Sequence, residues 1–170
     1  MSGGRLIVLS GLPGVGKSTL ARALAEATGA IWLRIDSIEQ AIRDAGIDAG
    51  EAGYRVGHAV AADNLRSGRD IIADCVNGWM LTRDGWAQTA RAAGAELIEI
   101  EIVCSDRAEH RRRVETRSGD IRGHIPPRWE AIEAQDYHPW TRPPLRIDTA
   151  GRSIEASAAA LIAALFAGSP

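Results

Sequence analysis

Short apolar runs alternate with amphipathic stretches along the 170 residues, a pattern that predicts parallel strands separated by helices. Leu6 to Leu9 reads as the first strand, followed by a glycine-rich turn and a helix from Lys17 to Ala27 that stops at Gly29. "AIWLRID" reads as a second strand ending at Asp36, with Asp36 or Ser37 available to cap the next helix. A polar, glycine-containing connection leads to a helix from Tyr54 to Arg66, and "DIIADCV" supplies a third strand with Asp74 near its carboxyl end. A helix starts at Thr82 and stops at Gly94. "ELIEIEIVC" is a strand by length and β-branching, although its alternation is not clean. Helical pattern resumes after Ser105, is interrupted by "SGDIRGHIPP", and returns from Arg128 to Ala134. "YHPWTRPP" is loop, "LRIDT" the last strand, and Ser153 to Phe166 the closing helix.

Composition narrows this picture. The chain is long enough for one domain with a substantial core, and it is read as a single unit over residues 1–170. A net charge of −2 provides no overall positive field for nucleic acid, so that partner is disfavoured. The apolar run in "MSGGRLIVLS" is too short for a signal peptide, and no stretch reaches the roughly 18 apolar residues of a membrane span. Two cysteines at the ends of different strands, Cys75 and Cys104, read as free thiols, and a cytoplasmic location is expected.

Lys17 is the only lysine; every other strongly basic side chain is arginine. It sits in Gly11-Leu-Pro13-Gly14-Val15-Gly16-Lys17-Ser18, which matches G-x-x-x-x-G-K-[ST] between a predicted strand and helix. Glycines let backbone N–H groups turn inward onto phosphate oxygens, and the helix amino terminus adds positive potential. Lys17 is then a compact charge inside the ring, where a planar guanidinium would not fit. Ser18 is placed to hold Mg²⁺, with Thr19 supporting the loop. The plain alternative is a glycine turn bearing a surface lysine.

With its one lysine committed, the chain cannot contain the Asn-Lys-x-Asp guanine segment of regulatory GTPases. Asp74 is followed by Cys75, not by the second acid of large motor ATPases. A small phosphotransferase remains. Asp36 is placed to act as general base, or else to cap a helix. Asp74 stands where a carboxylate would hold Mg²⁺, or else serves as a turn residue. Arg113 and Arg117 share a helix face and Arg122 follows a flexible turn. They read either as a lid over the phosphates, spanning about 107–142, or as a solvated face paired with Glu109 and Glu115. Arg34, Arg43, Tyr54, Arg55, His58, Asn77, Trp79 and Arg83 are candidate acceptor contacts, since they lie beyond strand ends or on the helix facing them. For His58 and Trp79 the packing role is the simpler one, and Trp129 and Trp140 read as lid anchors.

The ordered series of P-loop, "IDS", "IIADCV", "ETRSGDIR" and "LRIDTAGRSIEA" resembles small P-loop kinases related to chloramphenicol phosphotransferase, zeta-toxin kinases, gluconate kinase and adenylylsulfate kinase. The resemblance implies an α/β, three-layer P-loop NTPase fold with a five-stranded parallel sheet in order 2-3-1-4-5. It also implies ATP as donor, an adenine-contacting loop from Thr149 through Gly151 to Arg152, and a monomer or homodimer. Asp36 matches the base of chloramphenicol phosphotransferase. Polynucleotide and adenylylsulfate kinases carry arginine three positions after that aspartate, where this chain has Glu39. The expected reaction moves the γ-phosphate of ATP, with Mg²⁺, to a hydroxyl of a small molecule. A polynucleotide 5′-hydroxyl or nucleotide-sugar kinase and a non-catalytic ATP-binding switch are the alternatives.

Overall fold

The central strands are buried on both faces, so they read as continuous apolar runs and need a layer of helices on each side. The computed structural model describes residues 4–166. Its strands are β1 (Arg5–Ser10), β2 (Ile31–Arg34), β3 (Ile71–Asp74), β4 (Glu96–Val103) and β5 (Leu145–Asp148). They form one five-stranded sheet in order β2-β3-β1-β4-β5, and every pairing is parallel. The helices are α1 (Lys17–Thr28), α2 (Ile35–Asp44), α3 (Ala52–Arg66), α4 (Met80–Ala93), α5 (Arg107–Thr116), α6 (Trp129–Glu133) and α7 (Ile154–Phe166).

Alternate residues of the central strands feed two cores. Ile7, Leu9, Ile72, Ile100 and Ile102 pack beneath α1 and α7, where Leu20, Leu24 and Leu161 meet them. Leu6, Val8, Ile71 and Ala73 pack against α3 and α4 through Ala61, Leu65, Ala90 and the fully buried Trp86. This is the expected P-loop NTPase architecture. Among the described residues no helix is long and apolar enough to cross a membrane.

The uneven alternation of β4 has a physical cause. Its even positions enter the α1–α7 core, while Glu99 and Glu101 face a part of the sheet that α4 does not cover. The segment after α6 covers it instead: Arg142 donates to both Glu99 oxygens at 2.9 Å, and Trp140 Nε1 donates to Glu101 at 3.0 Å.

Several boundaries differ from the sequence expectation. β2 ends at Arg34, and Asp36 lies in the first turn of α2. Ile35 is buried there against α3, where a Cβ at Gly57 would come within 2.5 Å of its Cδ1, so the chain coils as soon as the sheet ends. Arg34 takes the N-cap position without a side-chain hydrogen bond, and neither Asp36 nor Ser37 caps the helix. α3 starts at Ala52 and α4 at Met80, each two residues before the expected start.

The strand order reverses direction at β1: the chain moves from β1 outward to β2, returns to β3 beside β1, then crosses to β4 and β5. Ligands of such sheets bind beyond the strand ends at that switch point. The glycine loop follows β1 there, in register with Asp74 through the Leu9 pairing, while Arg34 pairs with Asp74 from β2.

Candidate active site

The loop Gly11–Thr19 is held in place by partners distant in sequence. Gly11 N–H donates to Val76 O at 3.0 Å, tying the loop to the end of β3. The Pro13 carbonyl accepts from His110 Nε2 on α5 at 2.8 Å, and the Thr149 hydroxyl beyond β5 lies 2.9 Å from Val15 O. Gly11, Gly14 and Gly16 all have positive φ, at 146°, 87° and 104°. A Cβ at Gly11 would lie 2.3 Å from Ile102 O, and one at Gly14 2.5 Å from Val114 Cγ2, so the loop is shaped by both dihedral and space.

Lys17 opens α1 and is buried, with Nζ donating to the Leu12 carbonyl at 3.0 Å. Burial pushes its pKa down, opposed by Asp74 and Asp36. Asp74 is also buried, and desolvation raises its pKa while Lys17, Ser18 and Arg34 pull it back. Trp32 Nε1 donates to its Oδ2 at 3.2 Å. The buried carboxylate of Asp74 lies behind the lining of the adjoining cavity and offsets the charge of Lys17, as Lys17 offsets that of Asp74.

That cavity, of about 660 Å³, opens over Lys17. It is lined by Pro13 to Leu20, by Arg34 and Asp36 from the β2–α2 corner, by Arg113, Arg117, Ser118, Asp120 and His124 from α5 and the loop after it, and by Thr149 and Arg152. The structure therefore brings Asp36, Lys17, Ser18, Thr19 and Arg117 to one space. Gly151 lies outside the lining and donates its N–H to Glu109 Oε2 at 2.8 Å. Arg122 is exposed and outside the lining as well.

The two α5 arginines differ. Arg113 donates to the Thr149 hydroxyl and carbonyl, both at 2.8 Å, and pairs with Glu109, so it ties α5 to the end of β5. Arg117 is the C-cap of α5, where the backbone turns extended, and its Nε is buried without a hydrogen-bond partner. Burial lowers its pKa, with Asp36 opposing.

Most acceptor candidates lie elsewhere. Arg43 pairs with Glu39 along α2, and Arg55 lines a separate surface hollow with Asp48 and Glu51. The Tyr54 hydroxyl accepts from Asn77 N–H at 3.1 Å, and Asn77 Nδ2 donates to Ser10 Oγ at 2.9 Å, which ties α3 and β3 to the end of β1. His58 lies tilted against Trp86, ring centroids 4.2 Å apart, with Nδ1 3.0 Å from Thr89 Oγ1. Arg83 donates to the carbonyls of Asn77, Gly78 and Pro139 and lies over Trp140, and Trp79 is exposed. Of that set only Arg34 lines the cavity with Asp36.

Nothing in the sequence pattern singles out His110, Asp120 or His124. His110 carries no motif, and its role depends on α5 packing beside the loop, where Trp129 meets its ring edge-on at 5.0 Å. Asp120 and His124 lie in the "SGDIRGH" interruption, whose polar, glycine-rich composition marks a loop without marking its partners.

Known proteins share this architecture. The APS kinase of Mycobacterium tuberculosis, solved with AMPPNP and APS, superposes with a TM-score of 0.72 at 18% identity, covering 97% of this chain and 99% of that one. A gluconokinase from Sinorhizobium meliloti superposes at 0.63 with 19% identity over the whole of both chains. A candidate kinase from Chloroflexus aurantiacus superposes at 0.75 with 23% identity, covering 95% and 98%. In sequence, uncharacterized proteins of Mycobacterium tuberculosis and Mycobacterium bovis are 47% identical over 59% of this chain, which spans 23% of their length. The glycine loop, strands β2, β3 and β4 and α5 behind the loop fall within residues 6–136, which match the AAA domain family, and the chain belongs to that family.

Proposed function

We propose that this chain transfers the γ-phosphate of ATP to a hydroxyl of a small-molecule acceptor. The observation that carries the reading is the placement of Asp36 and Lys17 in one cavity, with Arg117 entering from the segment that covers it. Loop N–H groups and Lys17 hold the β and γ phosphates. The acceptor oxygen attacks the γ-phosphorus, its proton passes to the Asp36 carboxylate, and the bond from phosphorus to the β–γ bridging oxygen breaks to release ADP. Arg117 meets the charge that spreads over the transferring group. Of the expected lid, residues 107–142, the part from Arg113 to Gln135 borders the cavity and acts as the lid, while Trp140 and Arg142 cover β4 instead; Arg152 and Thr149 border the adenine end. The reading requires a compartment that supplies ATP, which the cytoplasm does.

The residues fit Mg²⁺ carried in on the nucleotide. Such an ion needs only one or two protein oxygens beside its phosphate and water ligands. Ser18 on the cavity wall and the buried Asp74 behind it would supply them. When bound, Mg²⁺ would neutralise charge on the β and γ phosphates.

An ADP-release assay across hydroxyl-bearing metabolites and antibiotics tests the proposal. One acceptor should raise turnover above the basal rate, and failure of every acceptor would favour the ATP-binding switch. With that acceptor, Asp36→Asn should lower kcat by about 10²–10⁴ while leaving nucleotide affinity unchanged. Near-full activity in the variant would remove Asp36 from the role of base.

A further inference from the structure

The wall of the cavity beside Asp36 is built around two guanidinium groups. Arg34 leaves the end of β2, and its side chain is only 16% exposed. Its Nη1 and Nη2 hold the two oxygens of Asp120 at 2.8 and 3.0 Å. Asp120 is 64% exposed and stands on the irregular loop between α5 and α6. The pair is therefore lopsided: a largely buried cation fixed by the sheet, met by a carboxylate from a solvent-facing loop. Arg34 Nε is buried with no hydrogen-bond acceptor, and Asp74 Oδ2 at 3.9 Å is too distant to serve. Arg117 Nε is likewise buried and unpartnered. His124 borders the same space, and Asp36 and Asp120 are the acids that line it with them.

We propose that the acceptor carries a terminal oxyanion, a carboxylate, sulfate or phosphate, that binds between Arg34 and Arg117 by displacing Asp120. The proposal rests on the phosphotransferase reading and names the substrate class for the same site. A guanidinium fork presents two parallel N–H donors, which a planar or tetrahedral oxyanion accepts as a pair. In the unliganded chain Asp120 fills that role, so the chain's own carboxylate marks the chemistry of the ligand. A neutral polyol would replace the Arg34 ion pair with hydrogen bonds to uncharged oxygens and leave that buried guanidinium without a counter-charge. Because Asp120 is tethered, it competes at high effective concentration, and its removal should strengthen binding.

The test uses the full chain saturated with Mg²⁺ and AMPPNP, so that the phosphate loop is filled. Inorganic sulfate, inorganic phosphate and acetate are titrated separately at constant ionic strength set with chloride. Calorimetry and tryptophan fluorescence read the binding, since Arg34 lies over the Trp32 ring at 5.8 Å. At least one oxyanion should bind saturably where chloride does not, and which one binds separates a carboxylate from a sulfate or phosphate ligand. Arg34→Gln should weaken that binding tenfold or more, and Asp120→Asn should tighten it severalfold. Arg34→Lys, which keeps the charge and loses the fork, should fall between, and it keeps the test available if Arg34→Gln does not fold. Absence of saturable binding, or weakening by Asp120→Asn, would overturn the proposal. Acceptor-stimulated ADP release, measured separately, reports on the phosphotransferase reading. An oxyanion signal lost in Lys17→Ala and kept in Arg34→Gln would place the ion in the phosphate loop and overturn the inference.

Discussion

The two halves of the cavity are made of different material. The phosphate half is backbone: three glycines with positive φ, a helix amino terminus and one buried lysine, clamped by Val76, His110 and Thr149. The proposed acceptor half is side chain, with Arg34 and Asp36 from the β2–α2 corner, Arg117 and Asp120 from the far end of α5 and the loop after it, and two guanidinium nitrogens left without partners. A phosphate bound by backbone requires one local conformation and tolerates little variation. A ligand bound by side chains can be changed one residue at a time, so a shared fold can serve different acceptors.

The sharpest way to break this contrast is to change Lys17 conservatively. Lys17→Arg keeps the charge in a position that is buried and whose Nζ already meets the Leu12 carbonyl. A guanidinium is larger, planar and unable to act as a point charge there. We expect kcat/KM to fall by about 10²–10³, the range for loss of a principal electrostatic contact in the transition state. Steady-state kinetics with the acceptor found by ADP release checks it. A variant within threefold of wild type would show the phosphate half to be as adaptable as the other.

A smaller effect should come from behind the loop. His110→Ala removes the donor to the Pro13 carbonyl and the edge-on contact with Trp129, without touching the cavity lining. Loss of one buried hydrogen bond is worth about 1–2 kcal/mol, so AMPPNP affinity measured by calorimetry should fall by roughly tenfold. Oxyanion binding at the other half should be unchanged if the two halves are independent, and parallel weakening of both would show that α5 couples them.

The contrast also explains what could be read in advance. The phosphate half was legible because its geometry is local: glycine positions, a lysine and a serine within one octapeptide between strand and helix. The strand order followed from the resemblance that motif supports. Arg34 and Asp120 are 86 positions apart, and nothing in either local context names the other. Arg83 illustrates the reverse error, since a basic residue just beyond a strand end suggested a ligand contact, whereas its guanidinium is spent on three backbone carbonyls and the Trp140 ring. Asp36 stands out in the sequence, but "WLRID" is apolar enough to extend a strand, and only Ile35 packing against α3 shows where the helix begins.

The smallest effect belongs to the Arg34–Asp120 pair itself, as a matter of stability. Although its geometry is bidentate, Asp120 is well exposed, so solvent screening limits the pair to about 1 kcal/mol or less, and Asp120→Asn should lower the unfolding free energy at pH 7 by no more than that. The hydrogen bonds from Arg34 hold the Asp120 carboxyl below its ordinary range, with burial opposing. A carboxyl depressed in the folded state contributes stability above its unfolded value, near pH 4, and loses that contribution as pH falls through the folded value. Urea unfolding of wild type and variant should therefore show a small gap at pH 7 that closes below about pH 4, with high salt narrowing it at neutral pH. A gap of several kcal/mol, or one that persists in acid, would make Asp120 part of the scaffold, and a carboxylate so firmly held could not yield its place on Arg34 to an incoming oxyanion.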